Sequence, residues 1–246
     1  MKNSKKIMRM IFLAMLVAIG VVISPILRVE GMCPMAHFIN IVCSVLMGPW
    51  YSLLCAVIIG IIRMATMGIP PLALTGAVFG AFLSGVFYRL SKGKLLFAVL
   101  GEVIGTGIIG AIVSYPVMTY IMGRTGLTWL FYVPGFTTAT LIGGSIAFGF
   151  LKQLSKNGQL TKLQKTLSDK SYEDKSGTLG NAISIGVIGV IIYIVTVILR
   201  DNFKLEHIVW QYIPKGAIIL FAIIGLIYYI VVKVKDSKKV KESNDK

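Results

Sequence analysis

Residues 94–122 read KLLFAVLGEVIGTGIIGAIVSYPVMTYIM, an apolar run broken by one acid, Glu102, and punctuated by glycine. A helix needs ~20 mostly apolar residues to cross a bilayer, so this run predicts a membrane span. Working outward, similar runs occupy roughly 8–27, 37–48, 50–66 and 71–90 before it, and 127–151, 179–199 and 213–232 after it. Eight runs of this kind predict an all-α, polytopic helical membrane protein. Composition agrees, with 56% hydrophobic and 14% charged residues and 26 glycines without a collagen-like period.

Charge gives the runs a direction. Four basic residues lie at 2–9, three at 89–94, six at 152–175 and six at 233–246, which is 19 of the 25 Lys and Arg. Assigned alternately to the two membrane faces, they share one side. The other side keeps Arg28, Arg63, Arg124, Arg200, Lys204 and Lys215. The positive-inside rule then places both termini in the cytoplasm of a multi-pass cell-membrane protein. The net charge of +15 is spread by topology, which argues for contact with anionic membrane lipid and against nucleic acid. The first run continues past Gly20 to Leu27 without a small-residue cleavage site, so it is read as a span and not as a signal peptide.

Three parts are expected: a six-helix core at 1–151, a basic cytoplasmic linker at 152–178, and a two-helix extension with a lysine-rich tail at 179–246. In the linker, Leu160, Leu163 and Leu167 recur at helical spacing opposite Lys162 and Lys165. That pattern fits a short amphipathic helix on the inner membrane surface or a solvated connection. Small residues in the core, Gly76, Gly80 and Ser84, then Gly101 and Gly105, then Gly143 and Gly144, predict a tight bundle of spans four to six, because lipid-immersed helices associate largely by close packing. Ala14 and Ala18 form a further small stripe on the first span, to be packed either inside the subunit or against a partner.

Polar groups at membrane depth propose function. Glu102 is the only acid within a span, and Arg63, near the end of the third, is its candidate partner; a structural ion pair and a functional role are both open. His37 and Asn40 are three residues apart, hence on one helical face, and suit either a ligand or a helix entry. Tyr115, Trp129 and Tyr132 fall on the same side, where an aromatic belt is the alternative to a ligand face. Cys33, Cys43 and Cys55 have no metal-ligand spacing, so neither metal nor disulfide is indicated, and no cofactor is expected. The chain has no G-x-x-x-x-G-K-[ST] phosphate loop, H-E-x-x-H or G-x-S-x-G motif. This poverty suits a solute-binding subunit energised by a partner better than an enzyme, although a membrane enzyme or an assembly factor stays open.

The runs His37-Phe38-Ile39-Asn40 and Gly48-Pro49-Trp50-Tyr51, then Arg63, Gly101 to Gly110 and Tyr115-Pro116-Val117, closely resemble the ThiW family over about residues 8–152. The resemblance implies a six-helix substrate-capture (S) component of an energy-coupling-factor (ECF) importer. It would take up the thiazole precursor of thiamine, hydroxyethylthiazole, or another small heterocyclic vitamin precursor. The implied partners are a transmembrane coupling protein and two ABC ATPases, with Ala14 and Ala18 matching the small-residue stripe that meets the coupling protein in that family. Residues 179–246 depart from the six-helix pattern.

Overall fold

The computed structural model describes residues 2–26, 32–172, 178–202 and 209–244. Among these residues the fold is helical, and the chain divides into two compact units, Met1–Lys175 and Ser176–Lys246. The first contains α1 (Lys2–Ile23), α2 (Pro34–Met47), α3 (Pro49–Met67), α4 (Leu72–Leu90), α5 (Leu95–Ile121), α6 (Val133–Lys156) and the short α7 (Gln159–Leu167). The second contains α8 (Thr178–Asn202) and α9 (Val209–Asn244). Six helices are long and apolar enough to cross a membrane, five of them in the first unit. This is a polytopic all-α membrane protein.

The α2 helix explains how six helices form one bundle. At 14 residues it falls short of a full crossing, and it is buried along almost its whole length. It packs against α1, α3, α4, α5 and α6, and so forms the axis of the unit. Proline at the first position starts both α2 and α3, where the missing N–H costs nothing. Between them Gly48 turns the chain at φ 95°, and the Arg89 guanidinium fills the space where a Cβ would sit. Any side chain there would be strained by the positive φ and would displace the Arg89 guanidinium.

The glycine pattern does what was expected of it between α4 and α5. A Cβ on Gly105 would lie 2.6 Å from the Gly80 Cα and from the Phe79 carbonyl, so the two backbones touch. Close to this contact α5 widens into a π-helical stretch, Val103–Gly110, directly after Glu102. Widening of this kind is frequent at functional sites.

The amphipathic segment forms α7, and its apolar side meets protein. Leu160 and Leu167 are buried, and α7 contacts α1, α2 and α6. Gln164, buried in the same face, donates to the Val45 carbonyl at 2.8 Å and to the Tyr88 hydroxyl at 2.8 Å, and accepts from the Tyr172 N–H at 3.0 Å. Thus part of the expected linker caps one end of the bundle. In the second unit α8 and α9 run antiparallel, with Ala182 facing Gly225 and Phe221 closing over Gly189, and Asn181 donating to the Tyr228 hydroxyl at 3.0 Å.

Candidate ligand-binding cavity

At the end of the first unit opposite α7, the connections α1–α2, α3–α4 and α5–α6 surround a cavity of about 570 Å³. Residues from all three reach it: Pro25, Met32 and Cys33; Ile69 and Pro70; and Arg124. Helical residues complete the wall, namely Ala36 and His37 of α2, Arg63 of α3, Leu72, Ala73, Gly76 and Ala77 of α4, Thr106 of α5 and Phe136 of α6. The volume lies within the range usual for small-molecule sites.

Behind one wall lies a polar cluster centred on Glu102, which is fully enclosed. Its Oε1 accepts from His37 Nδ1 at 2.9 Å, Asn40 Nδ2 at 3.0 Å and Thr106 Oγ1 at 3.2 Å. The shared face of His37 and Asn40 is what lets one carboxylate oxygen meet both. Thr106 follows Glu102 by four residues and returns to it along α5. The other oxygen, Oε2, has no hydrogen-bond partner among the described residues and packs at Gly80, where a Cβ would stand 2.8 Å from it. Asn40 is itself fixed from behind, its carbonyl accepting from Ser52 Oγ at 2.8 Å. The result is a rigid polar group on the cavity wall: with Nδ1–H donating to Glu102, the neutral imidazole of His37 leaves its other ring nitrogen as an acceptor.

Arg63 does not pair with Glu102. It is buried, and its Nη2 donates to Cys33 Sγ at 3.2 Å while Nε finds no acceptor among the described residues. Cys33 in turn donates to the Ser24 carbonyl at 3.0 Å. The expected Arg63–Glu102 ion pair is thereby corrected: α2 stands between the two helices that carry them and supplies His37 in place of arginine.

The expected aromatic residues gather next to the cavity without lining it. Tyr115 and Trp129 pack together with ring centres 4.5 Å apart, and Tyr132 lies 5.7 Å from Phe136. Phe136, one helical turn beyond Tyr132, supplies the aromatic wall. Phe136, Thr106, Arg124 and Cys33 were all missed from sequence. The spacing of four from Glu102 to Thr106 and from Tyr132 to Phe136 was the available signal. Ala14 and Ala18 are exposed on α1, whose Leu13, Leu16 and Val17 turn inward. Cys43 and Cys55 are fully buried.

A multi-pass helical bundle with a polar-walled cavity of this size at one end has room for a small molecule. The sequence model of the thiamine-precursor transporter protein family (ThiW) matches residues 10–157, and the chain belongs to that family. Searches of curated proteins and of solved structures found no match to it.

Proposed function

We propose that this protein is the substrate-capture component of an ECF-type importer and that its cavity takes hydroxyethylthiazole from outside the cell. The cavity carries the proposal, because it offers a small heterocycle an aromatic wall at Phe136, apolar contacts from α4, and polar contacts at His37 and Thr106. The charge distribution supports an external mouth, with both termini cytoplasmic and α7 at the inner end. The family match covers residues 10–157, which supports placing substrate capture in the six-helix core.

Energy would come from a coupling protein and two ABC ATPases, since no phosphate-loop motif lies in this chain. The exposed Ala14 and Ala18 offer the coupling protein a flat surface, where helices in lipid can approach closely. Thermal shift and native mass spectrometry of the purified chain against thiamine-related heterocycles test the ligand. Binding of the thiazole alcohol is expected, and stabilisation only by a pyrimidine or another ring would redirect the assignment. For coupling, Ala14→Trp or Ala18→Trp is expected to abolish ATP-dependent uptake while the isolated subunit still binds. Uptake that survives both variants would place docking elsewhere.

A further inference from the structure

Arg63 has a charge that the described protein does not match. A buried guanidinium is costly unless an anion or several hydrogen bonds compensate its lost hydration. Arg63 is only 4% exposed and lines the cavity. Its Nη2 bonds to Cys33 Sγ, a weak neutral acceptor, and its Nε is buried without a partner among the described residues. Arg9 pairs with Asp169, and His37 hydrogen-bonds Glu102; neither contact includes Arg63. Glu102 is no substitute, because its Oε1 is occupied by three donors and it does not line the cavity. A second guanidinium, Arg124, contributes to the same wall from the α5–α6 connection. Finally, about 570 Å³ is more space than a methylated hydroxyethyl thiazole fills.

We infer that the cavity prefers an anionic derivative of its heterocycle, a ring bearing a carboxylate or a phosphate monoester, with Arg63 as the counter-charge. The inference rests on the thiazole reading for the ring and adds the charge. A planar guanidinium binds either oxyanion by parallel N–H···O bonds. Because the apolar and aromatic walls adjoin it, the ring packs at Phe136 and α4 while the anionic group reaches Arg63. Unlike an anion-selective surface patch, this site strips water from both ions, so the preference depends on Arg63 more than on the overall positive charge.

The test measures binding of hydroxyethylthiazole, its phosphate ester, the corresponding thiazole carboxylate and inorganic phosphate to the full-length protein in nanodiscs. At least one anionic thiazole is expected to bind about tenfold or more tightly than the neutral alcohol. Arg63→Met should erase that preference and raise the melting temperature of the ligand-free protein, since it removes an unmatched buried charge; Arg63→Lys should keep part of the preference. Equal affinities for neutral and anionic rings overturn the inference and leave the thiazole reading standing. Failure of every thiazole to bind overturns both. Inorganic phosphate binding as tightly as the ester would mark a simple ion site and also overturn it. Arg63→Met lowering stability and all affinities alike would make the residue structural. Glu30 lies outside the described residues, so Glu30→Gln completes the set: an anion preference that appears only in this variant would identify Glu30 as the resident counter-charge and sink the proposal.

Discussion

At one end of the six-helix unit Gln164 is buried with both side-chain polar atoms engaged, whereas at the other Arg63 and Glu102 are buried with Nε and Oε2 unmatched among the described residues. The protein could have matched its buried groups at both ends, and lost hydration makes the need greater for a charged carboxylate or guanidinium than for a neutral amide. It does so only where α7 seals the bundle. A fully matched network stabilises one arrangement, while an unmatched group on the cavity wall, Arg63, keeps hydrogen-bonding capacity that a ligand could use. On the proposed function, the difference between the two ends is a division between holding the helices and binding a small molecule.

The largest expected effect lies at the closed end. Gln164→Leu removes three hydrogen bonds and strands the Tyr172 N–H, which should lower stability by about 2–4 kcal/mol. Ligand affinity, measured on the folded fraction, should change by no more than about twofold, because the cavity is built by the opposite connections. An affinity loss as steep as the stability loss would show that the two ends are one cooperative device.

Within the open end, Glu102→Gln and His37→Ala separate support from recognition. Glu102 is enclosed and accepts from three side chains, so replacing its charge should cost about 1–3 kcal/mol of stability with a smaller change in affinity. His37 lines the cavity, so its loss should weaken binding by a comparable ~1–3 kcal/mol. Thermal melts and ligand titrations on both variants decide it. A stability-neutral Glu102→Gln that no longer binds would make the carboxylate a ligand group and blur the contrast between the ends.

The same contrast explains what the sequence could disclose. Membrane spans are legible because bilayer thickness demands long apolar runs. His37, Asn40 and Glu102 stand out because polar groups are rare at depth. Their partners were not legible, since pairing depends on how helices are rotated about their axes. The π-helical stretch Val103–Gly110 alters the 3.6-residue register of α5 just where Thr106 turns toward Glu102. Arg124 was counted only as a charge in a connection, though the fold brings it to the cavity wall. Gln164 was hidden for another reason: read against Leu160 and Leu167 it looks like one polar residue in an amphipathic helix, and only the docked position of α7 reveals its three contacts.

Smaller effects are expected from the aromatic pair beside the cavity. Trp129→Leu removes the packing with Tyr115, worth about 0.5–1.5 kcal/mol beyond buried area, from residues that do not line the cavity. Affinity should stay within about twofold, whereas Phe136→Leu should weaken binding of a heterocycle by about 1 kcal/mol through loss of the aromatic wall. If isothermal titration ranks the two variants the other way round, the ligand reaches beyond the cavity toward Tyr115 and Trp129, and the sequence expectation for that pair is the better guide.

The smallest effect concerns an ion pair at the closed end. Asp169, just beyond α7, accepts from Arg9 Nη2 at 2.6 Å and so ties the segment after α7 to α1. The hydrogen bond from Arg9, with its charge, holds the Asp169 carboxyl below its ordinary value against the opposing effect of burial. A carboxyl depressed in the folded state contributes stability that is complete above its unfolded pKa and disappears as pH falls through the lower folded value. The contribution is small, at most about 1 kcal/mol, because Asp169 is exposed and the pair is screened by water and salt. Asp169→Asn should therefore melt slightly below the native protein at neutral pH, and the gap should close below about pH 4 and shrink in high salt. A gap that is unchanged at low pH would mean that the asparagine disturbs the packing of α7 itself, and that the closed end depends on more than Gln164 for its seal.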